Sequence, residues 1–177
     1  TTAKPIREFA PSFLDDASDP KVVDFVVCWK PDADAQSRLN GLLRAQDENL
    51  RTINQSLYND KHPALISIET KRGHNDEDDA KYKLAMWMAA WQNSIARFTA
   101  PETRCVPLPG LLVFGHTWEM YWMLDCQDEV AIVKAPWAVG DTQTLLGCYR
   151  LLAVLRCLCR GWGEEVFLPW FRESVLG

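Results

Sequence analysis

The runs of apolar residues along this chain change period several times, and each change marks a predicted element. Lys21 to Trp29, KVVDFVVCW, is β-branched and aromatic, which predicts a buried strand carrying one acid, Asp24. Leu39, Leu42, Leu43, Leu50, Ile53 and Leu57 recur at spacings of three, four and seven, which predicts a helix between Pro31 and Tyr58, weakened in its first half by Gly41. Pro63 to Lys71, PALISIETK, ends in charge and is bounded by Arg72-Gly73, the pattern of a central strand. Asn75 or Asp76 then caps a long helix running to about Phe98, because the acids Asp76, Glu77, Asp78 and Asp79 favour the positive end of a helix; use of the same acid run as a metal site is the other reading.

A Pro-rich connection with Pro101, Pro107 and Pro109 leads to three short strand-like runs, Leu111 to Phe114, Trp118 to Leu124 and Glu129 to Lys134. Turn residues at Gly115-His116-Thr117 and at Asp125 to Asp128 separate them, so an antiparallel meander is expected. The tail reads as a strongly apolar helix from Asp141 to Trp162 and a shorter one from Gly163 to Val175. Residues 1–20, rich in Pro and Asp, read as an arm or a short capping helix around Ile6 to Leu14, and residues 21–177 as a single domain. The expected fold is α/β (α+β), a central mixed β-sheet flanked by helices.

The chain has 177 residues, 47% hydrophobic and 24% charged, as in a single globular core. A net charge of -5 weighs against tight polyanion binding, yet metal-assisted phosphate chemistry itself requires acids. The six cysteines form no C-x-x-C pair and have no matching histidine pair, so zinc is not expected. Four of them lie among apolar residues and read as buried free thiols of a reducing compartment. With no leader, lipidation motif or long apolar run, no membrane partner is expected and the location reads as intracellular, nucleus or cytoplasm. The start at Thr1-Thr2 without Met reads as a cut piece whose missing segment could carry a partner-binding surface.

An aspartate inside an apolar strand is costly to bury as an ion, so Asp24 needs a partner. Residues two apart in a strand share a face, so Glu69 and Lys71 point the same way and Thr70 the other. If the two strands are neighbours, Asp24 and Glu69 can converge on one Mg²⁺ or Mn²⁺, with water and the Thr70 carbonyl as further ligands. Lys71 then sits beside the attacking water or the scissile phosphate. Ordinary strand-end ion pairs are the other reading, because a D…E-x-K pattern is short. His116 is a turn donor or a general base. Core packing is the first reading for Trp87, Trp91, Trp118, Trp122, Trp137, Trp162 and Trp170, above all for Trp87 and Trp91 at i and i+4, and stacking on bases or on a flat small molecule is the other. Arg150, Arg156 and Arg160 contact phosphate or form a solvated helix face.

In order, VVDFVV, TINQSLY…HPALISIETKRG, KLAMWMAAW, LPGLLVFGHTWEMYW and TLLGCYRLLAVLRCL…GWGEEVFLPWF resemble a fungal family described as PD-(D/E)XK nuclease-like, covering nearly all of Lys21 to Phe171. The resemblance implies a restriction-endonuclease-like core, Asp24, Glu69 and Lys71 as catalytic residues, Mg²⁺ or Mn²⁺ held by Asp24 and Glu69, and DNA as the substrate. One position departs from the pattern. Relatives carry Gln in a Q-L-x-x-W or Q-x-x-x-Y stretch that frames the site, and here Lys83-Leu84-Ala85-Met86-Trp87 puts Lys83 in the Gln position. A second cation suits a phosphate, or it pairs with a carboxylate and displaces the metal. The alternative is therefore a catalytically degenerate protein of the same fold, serving as a binding module or in another reaction.

Overall fold

The computed structural model describes residues 5–10, 22–126 and 129–177. One five-stranded mixed sheet forms from β1 (Phe25–Cys28), β2 (Ala64–Lys71), β3 (Leu108–Phe114), β4 (Thr117–Asp125) and β5 (Val130–Asp141), in that spatial order. Only β2 and β3 run parallel; β1 pairs antiparallel with β2, and β3, β4 and β5 form the antiparallel meander. A parallel pair needs a crossover, and α2 (Glu77–Ile95) supplies it. With α1 (Ala33–Arg44) and the C-terminal helix, the architecture is α+β, as the alternation of periods predicts.

Alternation along β2 and β3 divides the core between the two sheet faces. Ile66, Ile68, Leu111 and Val113 point to the face covered by Leu151 and Leu158 of the C-terminal helix. Leu112 and Phe114 point to the other face, where Leu84, Trp87, Met88 and Trp91 of α2 cover them. The approach of α2 is close: a Cβ on Gly110 would lie 2.8 Å from both Leu84 Cδ2 and Met88 Sδ. Glycine at this position lets the first turns of α2 lie over the end of β2, which fixes what can face Glu69.

Several boundaries differ from the sequence pattern. Asp24 lies in a bend just before β1, and Lys21 falls outside the described residues. Helix α1 ends at Arg44 and contains Gly41, whereas residues 51–63 are irregular. The cause is burial of polar groups: Thr52, Asn54, Gln55 and Ser56 are all buried. Asn54 Nδ2 donates to Asn59 O at 2.6 Å and His62 O at 2.8 Å, and Asn54 Oδ1 accepts from Ala64 N and Trp91 Nε1. Arg97 clamps the same loop by donating to Leu50 O and Thr52 O. These contacts reach across the chain and outweigh a local helical period.

β5 extends to Asp141, because the C-terminal helix starts only after Thr144, whose hydroxyl caps it by accepting from Gly147 N at 2.9 Å. The expected break at Gly163 is absent. Helical backbone continues from α3 (Leu145–Arg156) through wide π-type turns (Cys157–Phe167) and α4 (Leu168–Phe171) to Leu176. Of the expected capping helix near the N-terminus, a 3₁₀ turn at Arg7–Phe9 is described, docked by Phe9 beneath the Arg97 guanidinium; residues 11–20 lie outside the described set. All six cysteines are free, but only Cys105 is buried, since Cys148 and Cys157 fall on the outer side of the long helix. No helix among the described residues is long and apolar enough to cross a membrane.

Asn54→Ala leaves the Ala64 N–H, the Trp91 indole N–H and the Asn59 and His62 carbonyl oxygens without their partner. Urea unfolding should show a loss of about 2–4 kcal/mol, several times the cost of a surface substitution.

Candidate functional site

The β1–β2 pairing puts the three strand residues at one end of the sheet, though with unequal contacts. Phe25 pairs with Ile68, which places Asp24 opposite Glu69 one step beyond the ladder. Glu69 points to the α2 face beside Leu112 and is only 2% exposed. Its Oε1 lies 3.4 Å from Lys71 Nζ and 3.6 Å from Lys83 Nζ. Its Oε2 is buried without a hydrogen-bond partner among the described residues. Burial and the negative charge of Asp24 push its carboxyl above the usual carboxylate range, with the two lysines working in the opposite direction.

Asp24 is exposed and is held by the residue after Glu69: its Oδ2 accepts from Thr70 N at 2.8 Å and Thr70 Oγ1 at 2.6 Å. Thr70, expected to point away, thus anchors the first acid, and Asp24 Oδ1 has no partner among the described residues. Lys71 is drawn to Asp79, with Nζ 2.9 Å from Asp79 Oδ2, and this hydrogen bond raises its pKa and secures its charge. Lys83 also reaches Asp79, at 3.5 Å. The cluster is therefore three carboxylates and two ammonium groups, in which Asp79 holds both lysines against Glu69.

What pattern reasoning missed is the partnership of Asp79 with the two lysines. Asp79 belongs to the acid run at the start of α2, where Asp76 occupies the N-cap without a side-chain capping bond. The available signal was its position four residues before Lys83, which puts both on one helix face. His116 is elsewhere: at the β3–β4 turn its Nδ1 is 2.7 Å from Thr142 Oγ1, and among the described residues no contact joins it to the acids. Trp87 and Trp91 are buried in the core, and Arg150, Arg156 and Arg160 are exposed on the long helix.

A second buried carboxylate clarifies what is unusual about the first. Glu119 lies across Leu112 from Glu69, and its Oε2 meets Lys134 Nζ at 2.7 Å and the Tyr121 hydroxyl at 3.1 Å. Glu69 has longer ion pairs and an unpartnered oxygen. Among the described residues no group of three or more His, Cys, Asp or Glu side chains could hold a metal. Two carboxylates remain, Glu69 with a buried orphan oxygen and Asp24 with a free one. Carboxylates suit Mg²⁺, which keeps several waters and takes one or two of them, although the Thr70 side chain that holds Asp24 leaves β2 on the face opposite Glu69.

Because its folded-state pKa is raised, ionised Glu69 destabilises the fold, and the penalty is complete above that raised value and absent below the unfolded one. Glu69→Gln removes the charge and leaves Asp24 and Asp79 to balance Lys71 and Lys83. Calorimetric scans without metal should show a higher Tm for the variant at pH 8, by about 2–4 °C for each kcal/mol relieved, and the difference should shrink as pH falls toward 4.

A model of the PD-(D/E)XK nuclease superfamily matches residues 1–168. No curated protein sequence and no solved structure matches the chain. The match spans the whole sheet, including Asp24 and the Glu69–Lys71 stretch of β2, and extends into the C-terminal helix. By that match, and with a mixed sheet and flanking helices consistent with it, the chain belongs to the PD-(D/E)XK nuclease superfamily.

Proposed function

We propose that this domain hydrolyses phosphodiester bonds of DNA in a reaction dependent on Mg²⁺ or Mn²⁺, with Asp24 and Glu69 holding the ion. One observation carries the reading: a buried glutamate with an unpartnered oxygen sits at the end of a strand, two residues before a lysine, with a second acid opposite it. Leaving such an oxygen buried and unpaired costs about 1–3 kcal/mol, and a cation would remove that cost. When bound, the ion would supply Lewis-acid polarisation of the phosphate and a more acidic water.

The chain's own groups do the rest. Lys71, its pKa raised by Asp79, remains an ammonium group and so cannot act as a base; it donates to a phosphate oxygen and stabilises negative charge as it develops. Asp79 positions it. Thr70 fixes the Asp24 carboxylate by two hydrogen bonds, which sets the angle at which its second oxygen is offered. Lys83 adds a second donor where the family pattern has an amide, at the price of competing for Glu69 Oε1.

That competition favours a second reading, in which the fold is kept for binding while catalysis is lost. Two ammonium groups within 3.6 Å of Glu69 Oε1 partly do the work that an ion would do there. Mn²⁺ titration by calorimetry separates the two. On the nuclease reading Mn²⁺ binds, its affinity rises with pH as Glu69 loses its proton, and Lys83→Gln strengthens it. Plasmid nicking in Mg²⁺ or Mn²⁺ should fall by about 100-fold or more in Glu69→Ala and Lys71→Ala. Absence of Mn²⁺ binding in both the wild type and Lys83→Gln, or nicking unchanged by the two alanine substitutions, removes the nuclease reading.

A further inference from the structure

The irregular segment between α1 and β2 is a rigid piece of structure. Thr52 Oγ1 donates to Ser56 O at 2.7 Å, Ser94 Oγ donates to Asn54 O at 2.8 Å, and Asn54 and Arg97 hold the backbone as described. Asn59, in the left-handed region at φ 55°, closes the turn that carries Tyr58. Within this well-bonded region two polar atoms are left over. Gln55 Oε1 and Trp87 Nε1 are buried and have no hydrogen-bond partner among the described residues, on side chains of residues 1% and 4% exposed.

Both residues line a cavity of about 280 Å³ between β1 and this loop. Asp24 lines it too, so the cavity adjoins the candidate site at that one residue. Phe25 and Tyr58, 62% and 63% exposed, also form part of its wall. Gln55 Nε2 reaches Trp87 O only at 3.4 Å, a long bond, so little hydrogen-bond energy holds the amide in its present orientation.

We propose that this cavity receives a single unpaired nucleobase from the DNA strand whose phosphate lies at Asp24 and Glu69. The placement of the phosphate rests on the nuclease reading above; the contact with the base rests on the chemistry of the cavity itself. Its volume lies just below the range of roughly 300–1,000 Å³ usual for sites that take drug-sized ligands, which suits one flat ring system. The indole N–H of Trp87 and the amide oxygen of Gln55 lie behind the cavity wall, out of contact with solvent, and a base edge, where donors and acceptors lie side by side, would answer them once the amide turns outward. Phe25 and Tyr58 offer ring faces for stacking. A base inside a duplex presents that edge to its partner, so only an unpaired or extruded base enters. With a net charge of -5, general attraction for phosphates is weak, and stacking supplies the affinity that charge does not.

Fluorescence anisotropy with a labelled oligothymidylate of about eight nucleotides, in EDTA so that no cleavage occurs, tests the base contact. An abasic strand of equal length carries the same phosphates and should bind about tenfold more weakly. Tyr58→Ala and Phe25→Ala, both at exposed positions, should each weaken oligothymidylate binding by about the same factor and leave the abasic strand unaffected. Equal affinities for the two strands, or wild-type binding by both variants, overturn the proposal. Base-dependent binding by a protein that nicks no plasmid keeps the pocket and removes the nuclease; metal-dependent nicking without base dependence does the reverse.

Discussion

A single carboxylate placed between the sheet and α2 governs this end of the molecule. Glu69 is out of contact with water, and its ionised form is tolerated because two lysines approach one of its oxygens and Asp79 keeps them there. An apolar residue of similar volume would let α2 and β2 close on each other without any of these charges, since buried ion pairs are seldom the most stable solution. The arrangement makes physical sense as a site maintained at some expense to stability. Its counterpart Glu119, on the same sheet face, is matched closely by one lysine and one tyrosine and has the ordinary character of a structural pair.

The positions of those charges follow from how α2 crosses the sheet. As the connection between the parallel strands β2 and β3, it must start near the end of β2, and Gly110 allows its flank to come within contact of β3. The first two turns, which carry Asp79 and Lys83, therefore lie above the last residues of β2. The site thus combines a strand, where a two-residue period aligns Glu69 with Lys71, and a helix, where a four-residue step aligns Asp79 with Lys83. Each pair is local in sequence; their meeting depends on the fold.

That division explains what could be read without coordinates. β2 and the meander are legible because their apolar runs end at clear turn residues, and the Glu69–Lys71 pairing follows from strand geometry. The partnership of Asp79 with the lysines was hidden because an acid run at a helix start already has a sufficient explanation in the helix dipole. The stretch from Leu50 to Leu57 misled for a different reason. Its leucines and isoleucine imitate a helical stripe, yet Leu57 is exposed, while Thr52, Asn54, Gln55 and Ser56 between them are buried. Their partners, Trp91, Ser94 and Arg97, lie some 40 residues later, beyond the reach of any local period. The bond from Thr70 to Asp24 was equally invisible, because it depends on Asp24 lying outside the strand rather than within it.

The unbroken C-terminal helix serves both hydrophobic clusters, with Leu151 and Leu158 on one sheet face and Phe167, Phe171 and Val175 in the cluster on the other. Its two ends are consequently locked in rotational phase. Gain or loss of one residue between Leu158 and Phe167 would turn the distal aromatic stripe by roughly 100° against the proximal leucines, so that both could not be seated at once. The wide turns in that interval set the phase, and the segment should tolerate substitution far better than any change in length.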